Sequence, residues 1–447
     1  MSQNTCGGRR RTRGASPALL TSAGRNDAFH GTRGSIDMRI DPDPGELRTH
    51  AALADSSATR PRRGVLALGI AILVIEGWDL GALGTSGPVI LESHQWGATT
   101  ASLGMFGMIL SLGMPFGALL SGRASDRLGR RQPVLVGLAA AAVGMAVSGF
   151  APSMAVFSLG LAITGVAIGA LTTSTIAFVA DYAPTGRRSL HVCTAQCGIA
   201  LGGLIVPFVG RSVLDTVPFQ SLFLVGILAV VLVPIAWAVL PGGATEGAAA
   251  GREPLRALYG ARLRPLTVLF SLASVFVLVL VSGVAVWLPT LLVNRGFDMQ
   301  SALAFTVAFN GGAIAGTLAA AVIADRGRSK AATLSCLAIA CLALLALTAV
   351  GASWLVLAMS ALAGVGTFGT QNLLNGYIAG SFPSELRGTA LGAIMGAGRI
   401  GAIVGPGYVS VVIGSFTGSS AGLYALIVPA VCGALVLSLV HTRSSAD

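Results

Sequence analysis

From Gly64 onward the chain alternates long apolar runs with short polar intervals. The runs lie near residues 64–90, 100–121, 133–150, 153–180, 190–210, 221–240, 266–292, 300–324, 331–350, 353–380, 388–414 and 421–440. A membrane span needs about 20 mainly apolar residues, and a helix satisfies its own backbone in lipid. The pattern therefore predicts twelve transmembrane helices in an all-α integral membrane protein. The third and fourth runs meet at Ala151-Pro152 and admit more than one division there.

The polar interval 241–265 divides the helices six and six. An N-terminal bundle is expected over 64–240 and a C-terminal bundle over 266–440, with short ends at 1–63 and 441–447. The halves share punctuation. Asp126 recurs as Asp325, Pro184 with Arg188 as Pro383 with Arg387, and Pro207 as Pro406, each 199 residues further on, while Pro88 and Pro289 are 201 apart. Repeats of this size predict two pseudo-symmetric six-helix bundles rocking around a site near the midplane.

Composition agrees: 53% of residues are hydrophobic, 11% are charged, and the mean hydropathy is +0.78. The net charge of +11 is mostly topological. Of 29 basic residues, 11 lie in the tail up to Arg63 and 14 in alternate loops, whereas the opposite loops hold only Arg211 and Arg295. Under the positive-inside rule both termini are cytoplasmic, in a multi-pass protein of the plasma (cell inner) membrane. No basic patch is interleaved with aromatics, which argues against nucleic acid as a partner. The first 63 residues are rich in Arg, Gly, Ser and Asp, lack hydrophobic periodicity, and are expected to be disordered, touching anionic lipid or representing an over-extended start with Met38 the alternative beginning.

Three charges stand inside the apolar runs: Glu76 and Asp79 in the first and Arg399 in the eleventh. Ionisable groups at such depth are costly, and function is the default explanation. Glu76 and Asp79 are three apart, so on a helix both carboxyls face nearly the same way and can share a proton. The alternative is a static polar contact. Arg399 sits among Gly396, Gly398 and Gly401, which leave room for a ligand or for close helix packing. A carboxylate suits its planar fork. Either a substrate or one of the two acids could supply it.

The stretch from Gly122 to Arg131, GRASDRLGRR, resembles the signature loop between helices two and three of the major facilitator superfamily. Within that superfamily, Glu76-Gly77-Trp78-Asp79 is similar to the first-helix motif of the aromatic acid:proton symporters, which usually opens with Asp. Trp287-Leu288-Pro289-Thr290 resembles their seventh-helix ending. Gln371, Asn372, Asn375, Tyr377, Pro383 and Arg387, then Gly396 to Gly401 and Gly405-Pro406, extend the likeness. The resemblance implies a gate in which Gly122, Asp126, Arg127, Gly129, Arg130 and Arg131 lock one side shut and release it. The arginines alternatively serve only to orient the protein. The second copy, with Asp325 and Arg326, is shortened. Where the superfamily often carries a fourth-helix Arg, this chain has Leu161, so Arg399 would act alone.

Gln371 and Asn375 are four apart on the tenth helix and share a face, where they would orient a carboxylate or a ring hydroxyl, or tie helices together. Asn310, Gln196 and Thr164 are further polar candidates. Trp78, Phe309, Phe368 and Tyr377 offer rings for stacking or for packing, and Trp96 reads as an interface anchor. No cofactor or metal is expected. Cys193 and Cys197 lack His or carboxylate neighbours, and the single Lys, Lys330, follows no Gly-rich loop, which excludes ATP-driven transport by this chain. An enzyme would need a paired His or activated nucleophile at the midplane, and none is present. The sequence thus predicts a monomeric secondary transporter whose partners are a small organic acid, protons and the bilayer: a symporter for an aromatic carboxylate. An efflux antiporter for amphipathic compounds and a non-transporting receptor or sensor are the alternatives.

Overall fold

The computed structural model describes residues 63–183, 188–240, 255–260, 263–324, 329–349, 351–383, 386–416 and 418–440. The tail 1–62, Asp325, Arg326, most of the central loop, residues 441–447 and the side chain of Asp126 lie outside the described residues. Among the described residues, twelve helices are long and apolar enough to cross a membrane. They are α1 (Arg63–Glu92), α2 (Thr100–Leu128), α3 (Arg131–Gly149), α4 (Met154–Asp181), α5 (Arg188–Val213), α6 (Gln220–Val239), α7 (Arg264–Asn294), α8 (Met299–Ala324), α9 (Ser329–Ala349), α10 (Ser353–Ser381), α11 (Arg387–Ser415) and α12 (Ala421–Ser438). Each expected run falls on one of them.

The ambiguity at Ala151-Pro152 is settled by a cap. Helix α3 ends at Gly149, and the Ser153 side chain accepts from the Val156 amide to open α4. Among the described residues, the one interruption inside a span is in α6, where Ile227–Val231 tighten into a 3-10 stretch. It follows Gly226, whose missing side chain leaves space taken by Met145 and by Asp79 Oδ1. Trp96 is half-buried rather than a free anchor, with its ring centroid 5.6 Å from that of Phe157 in a cluster with Phe219.

The two halves repeat one packing scheme. Helix α1 packs on α5 as α7 packs on α11, α2 on α4 as α8 on α10, and α3 on α4 as α9 on α10. The match extends to single atoms. A Cβ on Gly113 would meet the Ala162 carbonyl and one on Gly312 the Ala361 carbonyl; Gly117 faces Val166 and Gly316 faces Val365; Gly165 faces Leu110 and Gly364 faces Phe309. Every partner in these pairs is displaced by 199 residues, the offset of the sequence punctuation. Glycine is needed at these crossings because any side chain would strike the neighbouring backbone.

Across the halves, α2 packs on α11, α5 on α8 and α1 on α7. Contacts concentrate at the end remote from the arginine-bearing loop 122–131. Ser410 Oγ donates to the Thr100 carbonyl at 2.9 Å, Gln300 Nε2 donates to Asp215 Oδ2 at 2.6 Å, and Gly84 lies against the Ala285 carbonyl. Towards the arginine-bearing end, Gly122 of α2 and Gly388, Gly392 and Gly396 of α11 have open space where a Cβ would stand. The halves therefore splay apart at that end.

Candidate functional site

A cavity of about 1030 Å³, counted to its open mouth, lies between the halves. The N-terminal half contributes Gly77, Gly81 and Thr85 of α1, Ser111 and Met114 of α2, and Gly203 of α5; the C-terminal half contributes Ser282 and Pro289 of α7, Thr306, Phe309 and Asn310 of α8, Phe368 of α10 and Arg399 of α11. The wall is mostly apolar with a few polar groups, as expected of a small-molecule site.

Arg399 is the cation of this wall. Its Nη1 lies 3.4 Å from the Met114 sulfur, a weak acceptor, and among the described residues no carboxylate stands within ion-pair distance. Gly398 and Gly401 press α11 against Ser274 and the Val275 carbonyl of α7, which fixes the helix that carries the guanidinium. Behind it, Trp287 Nε1 donates to the Pro406 carbonyl at 2.9 Å. Leu161, at the place of the missing fourth-helix cation, is fully buried in the N-terminal half.

Glu76 and Asp79 are both buried, at 2% and 1% exposure, but neither lines the cavity. Helix α1 turns Gly77 and Gly81 to it instead. Glu76 Oε1 accepts from Thr172 Oγ1 of α4 at 2.6 Å, while Oε2 has no partner among the described residues. Asp79 points into its own half, towards Gly226, and among the described residues neither of its oxygens has a hydrogen bond. The acids thus sit behind the cavity wall rather than facing Arg399 across it.

The arginine-bearing loop is anchored within the N-terminal half. Arg130 Nε pairs with Asp181 Oδ2 at 3.1 Å and its Nη1 donates to Ser125 Oγ; the Arg131 guanidinium lies 3.4 Å over the Trp237 ring. Gly129, at φ 80° and ψ 172°, takes a positive-φ backbone that suits glycine and ends α2, its N–H donating to the Ser125 carbonyl. Arg127 is exposed.

Trp78, Gln371, Asn375 and Tyr377 fall outside the cavity wall. Trp78 is buried with Nε1 donating to the Leu222 carbonyl, and Tyr377 packs edge-on against Phe270. Gln371 Nε2 approaches Asn375 Oδ1 at 3.5 Å and the Met395 sulfur at 3.8 Å, between α10 and α11 and nearer the arginine-bearing end. Asn310, given less weight from sequence, does line the cavity. Its Nδ2 donates to the Thr306 carbonyl, and its Oδ1 lies against Gly203 of the other half. Sequence reasoning missed Met114 and Thr172. A signal existed for the second in the uninterrupted Thr172-Thr173-Ser174-Thr175 run on an otherwise apolar helix.

Residues 69–406 match the family model described as Major Facilitator Superfamily. The chain is 32% identical to the gentisate transporter of Corynebacterium glutamicum over 387 residues, covering 80% of this chain and 86% of that protein. It is 30% identical over 392 residues to the 3-(3-hydroxy-phenyl)propionate transporter of Escherichia coli, covering 86% and 95%. It is 25% identical over 438 residues to the benzoate transport protein of Acinetobacter baylyi, covering 89% and 93%. A crystal structure of a bacterial homolog to the human lysosomal transporter Spinster, in an inward-facing and unoccupied conformation, superposes with a TM-score of 0.68 at 15% identity, covering 84% of this chain and 94% of that one. That likeness establishes the fold.

Proposed function

The chain belongs to the major facilitator superfamily and is a multi-pass membrane transporter, and from that premise we propose that it takes up a small aromatic carboxylate together with protons. The observation that carries this reading is Arg399, a cation in an apolar cavity whose nearest protein acceptor is a thioether. A carboxylate supplies the strong acceptors that Met114 does not. The substrate ring lies between Met114, Phe309 and Phe368, and Asn310 meets a ring hydroxyl. The names of the curated relatives, transporters of gentisate, benzoate and a hydroxyphenylpropionate, support the same substrate class.

Glu76 and Asp79 carry the proton. One monoanion moving with one proton transfers no net charge, so uptake follows the pH gradient more than the voltage, which is otherwise worth about 2.3 kcal/mol per charge per 100 mV. The arginine-bearing end is taken as cytoplasmic, with both termini on that side, because the basic residues cluster there. The open cavity then faces inward, the state from which substrate is released. The loop 122–131 serves as the gate, acting with α11 within a monomer of two bundles, 64–240 and 266–440, that rock about the cavity. Uptake into liposomes of radiolabelled gentisate, benzoate and 3-(3-hydroxyphenyl)propionate, driven by an inward proton gradient, tests this function; efflux against protons would appear as flow in the opposite direction.

A further inference from the structure

We propose that Thr172 is a positioning residue that reads the protonation state of Glu76 and transmits it to α4. The inference rests on the proton-coupled reading above. Thr172 Oγ1 lies 2.6 Å from Glu76 Oε1 and 2.8 Å from the Ile168 carbonyl oxygen, one turn back on its own helix. A threonine hydroxyl owns a single hydrogen, so it cannot donate to both. With Glu76 ionised, Thr172 donates to the carboxylate in a charge-assisted bond and the Ile168 carbonyl loses its second donor. With Glu76 protonated, the acid donates its new hydrogen to Thr172 Oγ1, and the threonine turns its own hydrogen to Ile168. Both acceptors already lie within reach of the same rotamer, so the hydroxyl switches between them without turning the side chain. One proton gained at Glu76 Oε1 therefore reverses one hydrogen bond and makes another.

The second bond has a mechanical consequence, because hydroxyl bonding to the carbonyl four residues back bends helices. Helix α4 is the element that ties the acid to the gate. Two residues beyond Thr172, Ser174 Oγ meets Ser121 Oγ of α2, and at the end of the helix Asp181 holds Arg130. A bend at the Ile168–Thr172 turn thus acts on both helices that flank the loop 122–131.

Few other groups compete for control of this switch. On α1 itself stands Asp79, with Arg63 and Glu92 at its ends; α5 brings His191, Cys193 and Cys197, with Arg188 and Arg211 towards its ends; α4 brings Asp181, engaged with Arg130; and Arg399 of α11 stands in the cavity wall. No titratable side chain lies in 100–122 of α2, in α6, or in 265–294 of α7, the other helices against α1. Thr172 is the one hydrogen-bond partner that Glu76 has among the described residues.

The test uses the full-length protein in liposomes with radiolabelled gentisate, comparing proton-driven uptake with counterflow exchange, which moves no net proton. Thr172→Val removes the hydroxyl and keeps the shape; Thr172→Ser keeps the hydroxyl. The expected result is that Thr172→Val moves the pH of half-maximal uptake upward by about one unit, since the charge-assisted bond to the ionised acid is the stronger one lost. Counterflow changes less than proton-driven uptake, and Thr172→Ser restores the wild-type profile. An unchanged profile in Thr172→Val overturns the proposal, as does equal loss of both activities in Thr172→Val and Thr172→Ala. A wild-type protein whose gentisate uptake ignores pH overturns the underlying proton-coupled reading instead, and this inference falls with it.

Discussion

Arg399 and Met114 belong to opposite halves of the molecule, and the guanidinium Nη1 stands 3.4 Å from the thioether sulfur. A cation with so weak an acceptor is set to exchange it for a carboxylate. Arg399→Ala is expected to raise the KM for an aromatic acid at least tenfold, since a hydrogen bond to a charged group is worth about 1.5–3 kcal/mol. Arg399→Lys recovers only part of the loss, because an ammonium lacks the two-pronged geometry. Radiolabelled uptake over a range of concentrations reads both.

Asn310 should discriminate among substrates. Its carboxamide lines the cavity with Oδ1 free of hydrogen bonds among the described residues. Asn310→Leu is expected to weaken transport of ring-hydroxylated acids by roughly fivefold, the worth of about 1 kcal/mol, while sparing benzoate. Competition assays with gentisate and benzoate measure the ratio. A uniform loss for both acids would assign Asn310 to packing.

The antiparallel crossing of α2 and α11 predicts what meets when the open end closes. Gly104 lies by Ser410, Gly107 by Pro406 and Met114 by Arg399. Continuing that register places Ala118 opposite Gly396, Gly122 opposite Gly392, and Asp126 opposite Gly388 at the start of α11. A helix N-terminus favours an acid. A Cβ at Gly392 would meet nothing within 4 Å in the open state, so Gly392→Leu should fold normally yet slow uptake at least tenfold, the effect of about 1.4 kcal/mol of steric cost in the closed state. Cysteines replacing Gly122 and Gly392, in a background without native cysteines, should cross-link only in molecules that have closed.

Stability should follow the backbone crossings. A Cβ at Gly401 would strike the Val275 carbonyl oxygen, whereas one at Gly414 meets nothing within 4 Å. Gly401→Ala is expected to cost about 1–3 kcal/mol and to lower Tm clearly, and Gly414→Ala to leave it unchanged or raised. Thermal melts of detergent-purified variants distinguish the two.

The fold was legible because each span is an autonomous apolar run set off from the next by a polar interval. The repeat was legible because turns and crossings need Gly, Pro or Asp at fixed places, and Gly113 and Gly312 keep the offset first seen in Asp126 and Asp325. The site was legible only in part. A three-residue spacing shows that Glu76 and Asp79 share a face, but nothing in it says which way the face turns. Gly77, Gly81 and Gly84 held that information, since small residues mark the side where α1 meets α5, α7 and the cavity. Trp78 and Tyr377 offered rings for stacking or for packing, and their polar and aromatic partners lie inside single halves, at Leu222 and Phe270. Such pairings depend on tertiary contacts that spacing along one helix does not encode.

Proton coupling makes the sharpest demand. Asp79→Asn should leave the cavity wall intact, because Asp79 does not line it, while uncoupling uptake from the pH gradient; counterflow would persist where gradient-driven accumulation fails.

The most direct measurement is proton movement itself, recorded with a lumenal pH dye in liposomes carrying the wild-type protein when an aromatic acid is added outside, with protein-free liposomes reporting passive entry of the neutral acid. Proton-coupled uptake predicts lumenal acidification that exceeds the protein-free baseline, saturates with substrate and accompanies accumulation of the acid. Accumulation with no proton entry above that baseline, or protons leaving as the acid enters, would contradict it.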